Sequence, residues 1–333
     1  MEIVVDGPYF EDLQVGQRFP AAPVTLTEGL AAAHQAVVGG RLPLAGAHLL
    51  SRQVLGDGVL AAPNLVWDVA IGQSTVVTHT VVANLFYRGV VFRRAPRLGD
   101  SLRTVTEVVG LRQNSRRPGR PPTGLVALRI STDDQYGRPV LDFWRCAMLP
   151  LRDGSTDTGL ADDLTSIGRD PSTDELASVT ARWDLGAFRA ARPGSHFTGV
   201  REGDVHVVAG GDVVTSAPEL ARLTGNVARV HHDASYGAGP PGRLVYGGHT
   251  IGLALHQAVR ALPDLLTVVG WHGCDHLAPV READTLTSTV TVERTEPLPS
   301  GGGLVHLRSR VRSRRDGDAQ TDVLDWRFVA ALA

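Results

Sequence analysis

The strongest constraint on the fold of this chain is that it repeats itself. The string TGLVALR at 123–129 returns as GGLVHLR at 302–308, and VLDF at 140–143 returns as VLDW at 323–326. Upstream, PRLGDSLRTVT from Pro96 matches PVREADTLTSTVT from Pro279 with one residue inserted, which sets Asp100 opposite Asp284. A weaker echo joins YFEDLQVG at 9–16 to HFTGVREG at 196–203. These matches keep their order and a nearly constant displacement, which chance similarity between short strings seldom does, so the chain reads as two diverged copies of one unit.

The second copy shows what the unit is made of. Ile251, Leu255, Val259 and Leu262 recur at helical spacing, Gly247-Gly248 precede the stretch, and Pro263-Asp264 end it, which predicts a helix over 249–262. The run LTSTVTV at 286–292 alternates as a strand does, and Asp316-Gly317 is a turn signal. One apolar helix with several antiparallel strands makes an α+β unit. The strings shared at 123–129 and 140–143 are then the last two strands of a copy. Between the copies, 152–194 is polar, with a short helix expected from Ser172 or Thr173 and Asp174 and Glu175 in its first turn. The expected division is 1–151, a linker at 152–194 with no role beyond connection, and 195–333.

Composition narrows the class. Of 333 residues, 43% are hydrophobic and 20% charged, as in ordinary folded domains, and the net charge of −2 provides no global field for nucleic acid or an anionic membrane. No stretch has the pattern of a signal peptide or approaches the length of a membrane span, so a cytoplasmic protein without a membrane partner is expected. The two cysteines, Cys146 and Cys274, suit buried positions and not a disulfide framework.

The densest polar cluster is TGNVARVHHD at 224–233, followed by GRLVYGGH at 242–249. This region resembles the MaoC-like (R)-specific enoyl-CoA hydratases, whose motif is an aspartate, four residues, then a histidine in a His-x-Asp context. His231-His-Asp233 matches the motif, and Asn226 stands where most members have aspartate. PVREADTL at 279–286 is similar to the family's Pro-Val-x-x-Gly-Asp-Thr-Leu stretch, with Ala283 for the glycine. Asn226, YFEDL at 9–13, LRQNS at 111–115, VLDFWR at 140–145 and RLVYGGH at 243–249 resemble the two-unit mesaconyl-CoA hydratase (β-methylmalyl-CoA dehydratase) branch, which also carries asparagine there.

The resemblance implies a double hot-dog fold, two antiparallel sheets each wrapped around a central helix. It also implies a hydro-lyase acting on a 2-enoyl-CoA or 3-hydroxyacyl-CoA thioester, with a short branched or dicarboxylic acyl group as one option. No cofactor or metal is implied, and a homodimer is an assembly open to such a chain. Under this reading His231 is the acid/base group and Asn226 orients water by hydrogen bonding, since a carboxamide takes no proton at neutral pH. The N–H groups of Gly247 and Gly248, at a predicted helix N-terminus, would polarise the thioester carbonyl. Asp233 joins the substrate-binding set, either orienting a histidine or capping a local turn, and His232 is expected to be solvated. Read without the family, His231 is equally a structural histidine and the glycine pair a plain turn.

The first copy has VGGRLPLA at 38–45 in the corresponding place, without histidine or acid. Its LVWDVAIG at 65–72 echoes LVYGGHTIG at 244–252 without the glycines. The site is therefore expected in the second copy alone, with the first widening a channel or completing the sheet. The GAGPPG string at 237–242 fits a dinucleotide pattern literally, but its prolines remove donors the pyrophosphate needs. His272, Cys274 and His276 are expected on one strand face without enough ligands for a metal. Arg116, Arg117 and Arg120 suit an exposed hairpin loop better than a coenzyme A phosphate site. Two rival functions remain, a hot-dog thioesterase and a catalytically silent acyl-CoA-binding scaffold.

Overall fold

The computed structural model describes residues 6–154, 156–236, 243–299, 301–315 and 319–333; the GAGPPG string and the Asp316-Gly317 turn lie outside the described residues. The first copy runs β1 (Arg18–Pro20), β2 (Val24–Thr25), α1 (Glu28–Val38), α2 (Pro43–Gly46), α3 (His48–Leu55), α4 (Pro63–Ser74), β3 (Ala83–Phe92), β4 (Ser101–Gln113), β5 (Thr123–Asp133) and β6 (Pro139–Pro150). After α5 (Thr173–Ser178) and α6 (Leu185–Ala191), the second copy runs β7 (Val205–Val207), β8 (Asp212–Val213), α7 (Ala217–Leu223), α8 (Gly247–Ala261), β9 (Leu265–His276), β10 (Thr285–Pro297), β11 (Gly303–Arg314) and β12 (Thr321–Leu332).

Helix α8 begins two residues before the predicted start and buries Ile251, Leu255 and Val259 as the spacing requires. Every residue of α4 is buried. A helix apolar or enclosed all round belongs inside a wrapped sheet, and this is where both central helices sit. Strand β10 buries Leu286, Ser288, Val290 and Val292 in the expected alternation.

The two expected sheets meet edge to edge. Strand β3 pairs antiparallel with β9, with Tyr87 opposite Cys274 and Val90 opposite Trp271, so the order β1-β4-β5-β6-β3-β9-β12-β11-β10-β7 runs through one twelve-stranded sheet. The duplication is visible in side-chain detail. Arg129 clasps Asp142 through Nε at 3.1 Å and a terminal nitrogen at 2.9 Å, and Arg308 clasps Asp325 in the same bidentate way. Gln73 donates to the Leu102 carbonyl and Gln257 to the Leu286 carbonyl. The glutamines, like Asp100 and Asp284, are 184 residues apart, which fixes the register of α4 against α8.

That register corrects one sequence alignment: Leu65 corresponds to His249, and Pro63-Asn64 occupy the place of Gly247-Gly248. The linker also does more than connect. Ser172 caps α5 in a capping box with Glu175, as expected, but Leu176 is fully buried where α5 packs on β3 and β9, so the linker covers the junction of the copies. The 114–122 hairpin loop carries Arg116, Arg117 and Arg120 at the surface. Cys146 and Cys274 are buried free thiols.

Beneath the junction, Trp67 of α4 packs edge-on against Trp271 of β9 (4.8 Å between ring centroids) and Trp326 of β12 (5.9 Å). The core is thereby shared between copies. Trp67→Ala should lower the unfolding free energy by about 3–5 kcal/mol. Urea unfolding of the parent followed by fluorescence and circular dichroism should give one coincident transition; two resolved transitions would mean that the copies fold independently.

Candidate active site

Helix α7 and the loop after it carry the candidate histidine. The helix turns out at Gly225, the chain passes through Asn226, and one 3-10 turn spans Arg229–His231. Asn226 is buried, and its Oδ1 accepts the Ala228 N–H at 3.0 Å. A backbone N–H can only donate, so the amide presents its NH2 group to the cavity that Asn226 lines. The Nδ1 of His231 lies 2.9 Å from the Leu244 carbonyl, which can only accept; Nδ1 therefore carries the proton and Nε2 keeps its lone pair. Burial lowers the His231 pKa to about 4 against the opposing Leu244 hydrogen bond, so the ring is neutral near pH 7.

The neighbouring residues depart from expectation. His232 is only half-buried, and its ring hydrogen-bonds the Asn226 carbonyl at 2.6 Å and braces the loop. Asp233 is exposed and absent from the cavity lining, with its carboxylate accepting from the Ser235 N–H (2.8 Å) and hydroxyl (2.6 Å). Its place in the substrate-binding set is thus corrected to the local turn, because an Asx turn satisfies the carboxylate where it stands.

The glycine pair opens α8, but its members face different ways. Gly247 lines the cavity at the first helical position, where N–H groups have no intrahelical acceptor. Gly248 instead lies against the first copy: a Cβ there would come within 2.1 Å of Asp68 Oδ1 and 2.4 Å of the Tyr246 ring. Only Gly247 borders the cavity, and Gly248 is a packing glycine.

The first copy lines the cavity, in keeping with the channel-widening option, so the space is not confined to the second copy. The cavity, about 510 Å3, is lined by His231, Asn226, Tyr246, Gly247 and His276 from the second copy, and by Ile71, Thr75, Thr78, Tyr87 and Arg145 from the first. The first copy also anchors the wall. Fully buried Asp68 accepts the Tyr246 hydroxyl at 2.9 Å and the His34 Nε2–H at 2.8 Å, and burial raises its pKa against both bonds. The Tyr246 ring in turn packs edge-on against His231, 5.7 Å between centroids.

His276 was not singled out from the sequence as a site residue. A register shift in the β9–β12 pairing beside His272 breaks the alternation, so His272 bonds His306 while His276 lines the cavity. Burial lowers the His276 pKa to about 4, and its Nε2 is buried without a hydrogen-bond partner among the described residues. Arg145 could have been noticed as a lone cation in the apolar run FWRCAML.

The equivalent place in the first copy is almost closed, with a volume of about 10 Å3. It is lined by Gly40, Ala45 and Asn64, which follow the same turns as Asn226, His231 and Gly248. The two places also differ in packing at position 72. Gly72 lets the Thr224 carbonyl approach α4, where a Cβ would meet it at 1.8 Å. Its counterpart by register is His256, whose ring fills the space and bonds the Gly39 carbonyl.

No protein-family model matches the chain. A solved structure of a conserved hypothetical protein from Mycobacterium tuberculosis, described as having a double hot-dog fold, is 52% identical, with a TM-score of 0.92 over 98% of this chain and 99% of that one. A Chloroflexus aurantiacus structure described as a MaoC domain protein dehydratase aligns with a TM-score of 0.83 at 24% identity over 98% of this chain and 97% of its own. Among curated proteins, a β-methylmalyl-CoA dehydratase of Chloroflexus aurantiacus is 27% identical over 93% of this chain and 89% of its own length. A mesaconyl-CoA hydratase of Cereibacter sphaeroides is 29% identical over 91% and 88%. With a duplicated antiparallel sheet wrapped on two buried helices and a 52% identical relative of that fold across nearly its whole length, the chain belongs with the double hot-dog proteins.

Proposed function

We propose that the cavity hydrates a 2-enoyl-CoA thioester, or dehydrates the corresponding 3-hydroxyacyl-CoA, with His231 as acid/base group. The observation that carries this reading is the fixed tautomer of His231: the Leu244 carbonyl holds Nδ1–H, leaving a neutral, bare Nε2 in a cavity shared with Asn226 and Gly247. The hydratase and dehydratase activities of the curated relatives support it.

In the hydration direction the Asn226 NH2 group donates to the oxygen of a water, leaving a lone pair free to attack C3. His231 Nε2 takes a proton from that water as the C–O bond forms, and the electrons of the double bond move onto the thioester carbonyl. The Gly247 N–H receives the developing enolate oxygen, helped by the α8 dipole. His231 then returns the proton to C2, so the elements of one water are added and the base is restored. Asparagine suffices at position 226 because the step assigned to it is orientation, not proton transfer.

With a panel of 2-enoyl-CoAs, loss of the conjugated absorbance is the expected signal. His231→Ala should reduce kcat/KM by about 10²–10⁴-fold. Thiol release without hydration would favour a thioesterase, and saturable binding with no turnover of any thioester would favour a silent binding protein. Because burial lowers His231 to about 4, and a base must be unprotonated, kcat/KM should hold from neutral pH down to about 5 and fall as pH drops through about 4. An acid limb centred near 6.5 would instead mark an unperturbed histidine.

A further inference from the structure

We infer that Arg145 is the receptor for a second, negatively charged end of the substrate, so that the acyl group carried on the thioester bears a free carboxylate. The inference rests on the hydration reading for the position of the thioester and on three further observations for the charge.

The first is an uncompensated cation. Arg145 is 3% exposed and lines the cavity, and it is the one arginine in the buried class among the described residues. It forms no ion pair there: a terminal nitrogen donates to the Thr78 hydroxyl at 2.8 Å and to the Ser74 carbonyl at 3.3 Å, both neutral. Its Nε is buried without a hydrogen-bond partner among the described residues. Two arginines that follow the repeat, Arg129 and Arg308, are by contrast held by carboxylates, those of Asp142 and Asp325. A buried guanidinium without a counter-charge is costly, and a bidentate anion is what its geometry fits.

The second is that the fold does not require a cation at this position. The matched strings at 140–143 and 323–326 place Phe328 where the first copy has Arg145, and the cross-strand partners agree, Leu128 opposite Arg145 and Leu307 opposite Phe328. Phe328 is fully buried and stacks on Trp326 at 3.8 Å. An apolar side chain fills the same strand position in the copy whose equivalent wall serves no open cavity. The charge therefore accompanies the cavity and not the sheet.

The third is the surrounding chemistry. His231 and His276 on the same lining are neutral at physiological pH, and no carboxylate lines the cavity among the described residues. The Tyr87 hydroxyl and the unpartnered His276 Nε2 border the space and can add neutral hydrogen bonds to an anion held by Arg145.

The test separates binding from turnover. Succinyl-CoA and butyryl-CoA differ by a carboxylate in place of a methyl group, and neither carries the double bond that hydration consumes. Calorimetric titration of the full chain should find succinyl-CoA bound at least tenfold more tightly, and Arg145→Met should abolish that preference while leaving butyryl-CoA within about threefold. Arg145→Phe, which copies the residue of the second repeat, serves as the second variant if the first does not fold. In parallel, kcat/KM for fumaryl-CoA should exceed that for crotonyl-CoA in the parent, and Arg145→Met should reduce the first selectively. Equal affinity for the two saturated thioesters in the parent, or an equal loss for both in the variant, overturns the inference. Charge-selective binding without turnover of any 2-enoyl thioester would sustain the role of Arg145 while removing the hydratase reading.

Discussion

The pairing of β3 with β9 is the contact on which the rest of the molecule depends. It turns two half-barrels into one sheet, brings α4 and α8 side by side beneath it, and buries Trp67 of one copy between Trp271 and Trp326 of the other. Through the same junction, Tyr87 and Arg145 reach a cavity whose histidine comes from a segment much further along the chain. Neither copy holds the candidate site alone. The loop after α7 brings His231 and Asn226, the opening of α8 brings Gly247, and the first copy supplies the opposite wall with the buried guanidinium of Arg145.

Symmetry explains what was lost as well as what was kept. The bidentate Arg–Asp clasps and the glutamines that tie the helices to the strands recur in both copies, because each satisfies buried backbone or charge wherever the fold is built. The differences sit at the two cavity positions. His256 stands where α4 has Gly72 and lines the nearly closed space, and Phe328 stands where the first copy has Arg145. A duplicated fold can thus concentrate its chemistry in one of two equivalent places without disturbing the sheet they share.

The electrostatics of the open cavity come from burial. His231 and His276 lose their charge on folding because little solvent remains to stabilise an imidazolium, whereas a guanidinium stays protonated under the same conditions. The cavity therefore combines neutral histidines with the buried positive charge of Arg145. Asp68, raised by burial and held between His34 and Tyr246, places its hydrogen bonds behind the wall and not in it.

The sequence by itself determined the duplication, the α+β class, the helix of the second copy and the capped helix in the linker, and it marked His231 and Asn226 as the candidate pair, because repeats, periodicity, caps and a spaced motif are all local in the chain. It left Asp233 between a local turn and the site and did not foresee the partner of His232, because both partners depend on how the loop turns. It also misaligned α4, since a shared apolar string carries no register of its own. Only the tertiary structure decided that Gly247 and not Gly248 borders the cavity, that a break in the strand register sends His276 inward, and that Arg145 of the first copy faces the second copy's histidine. Those assignments depend on which strand edges pair and which helix faces meet, and no spacing along the chain specifies either.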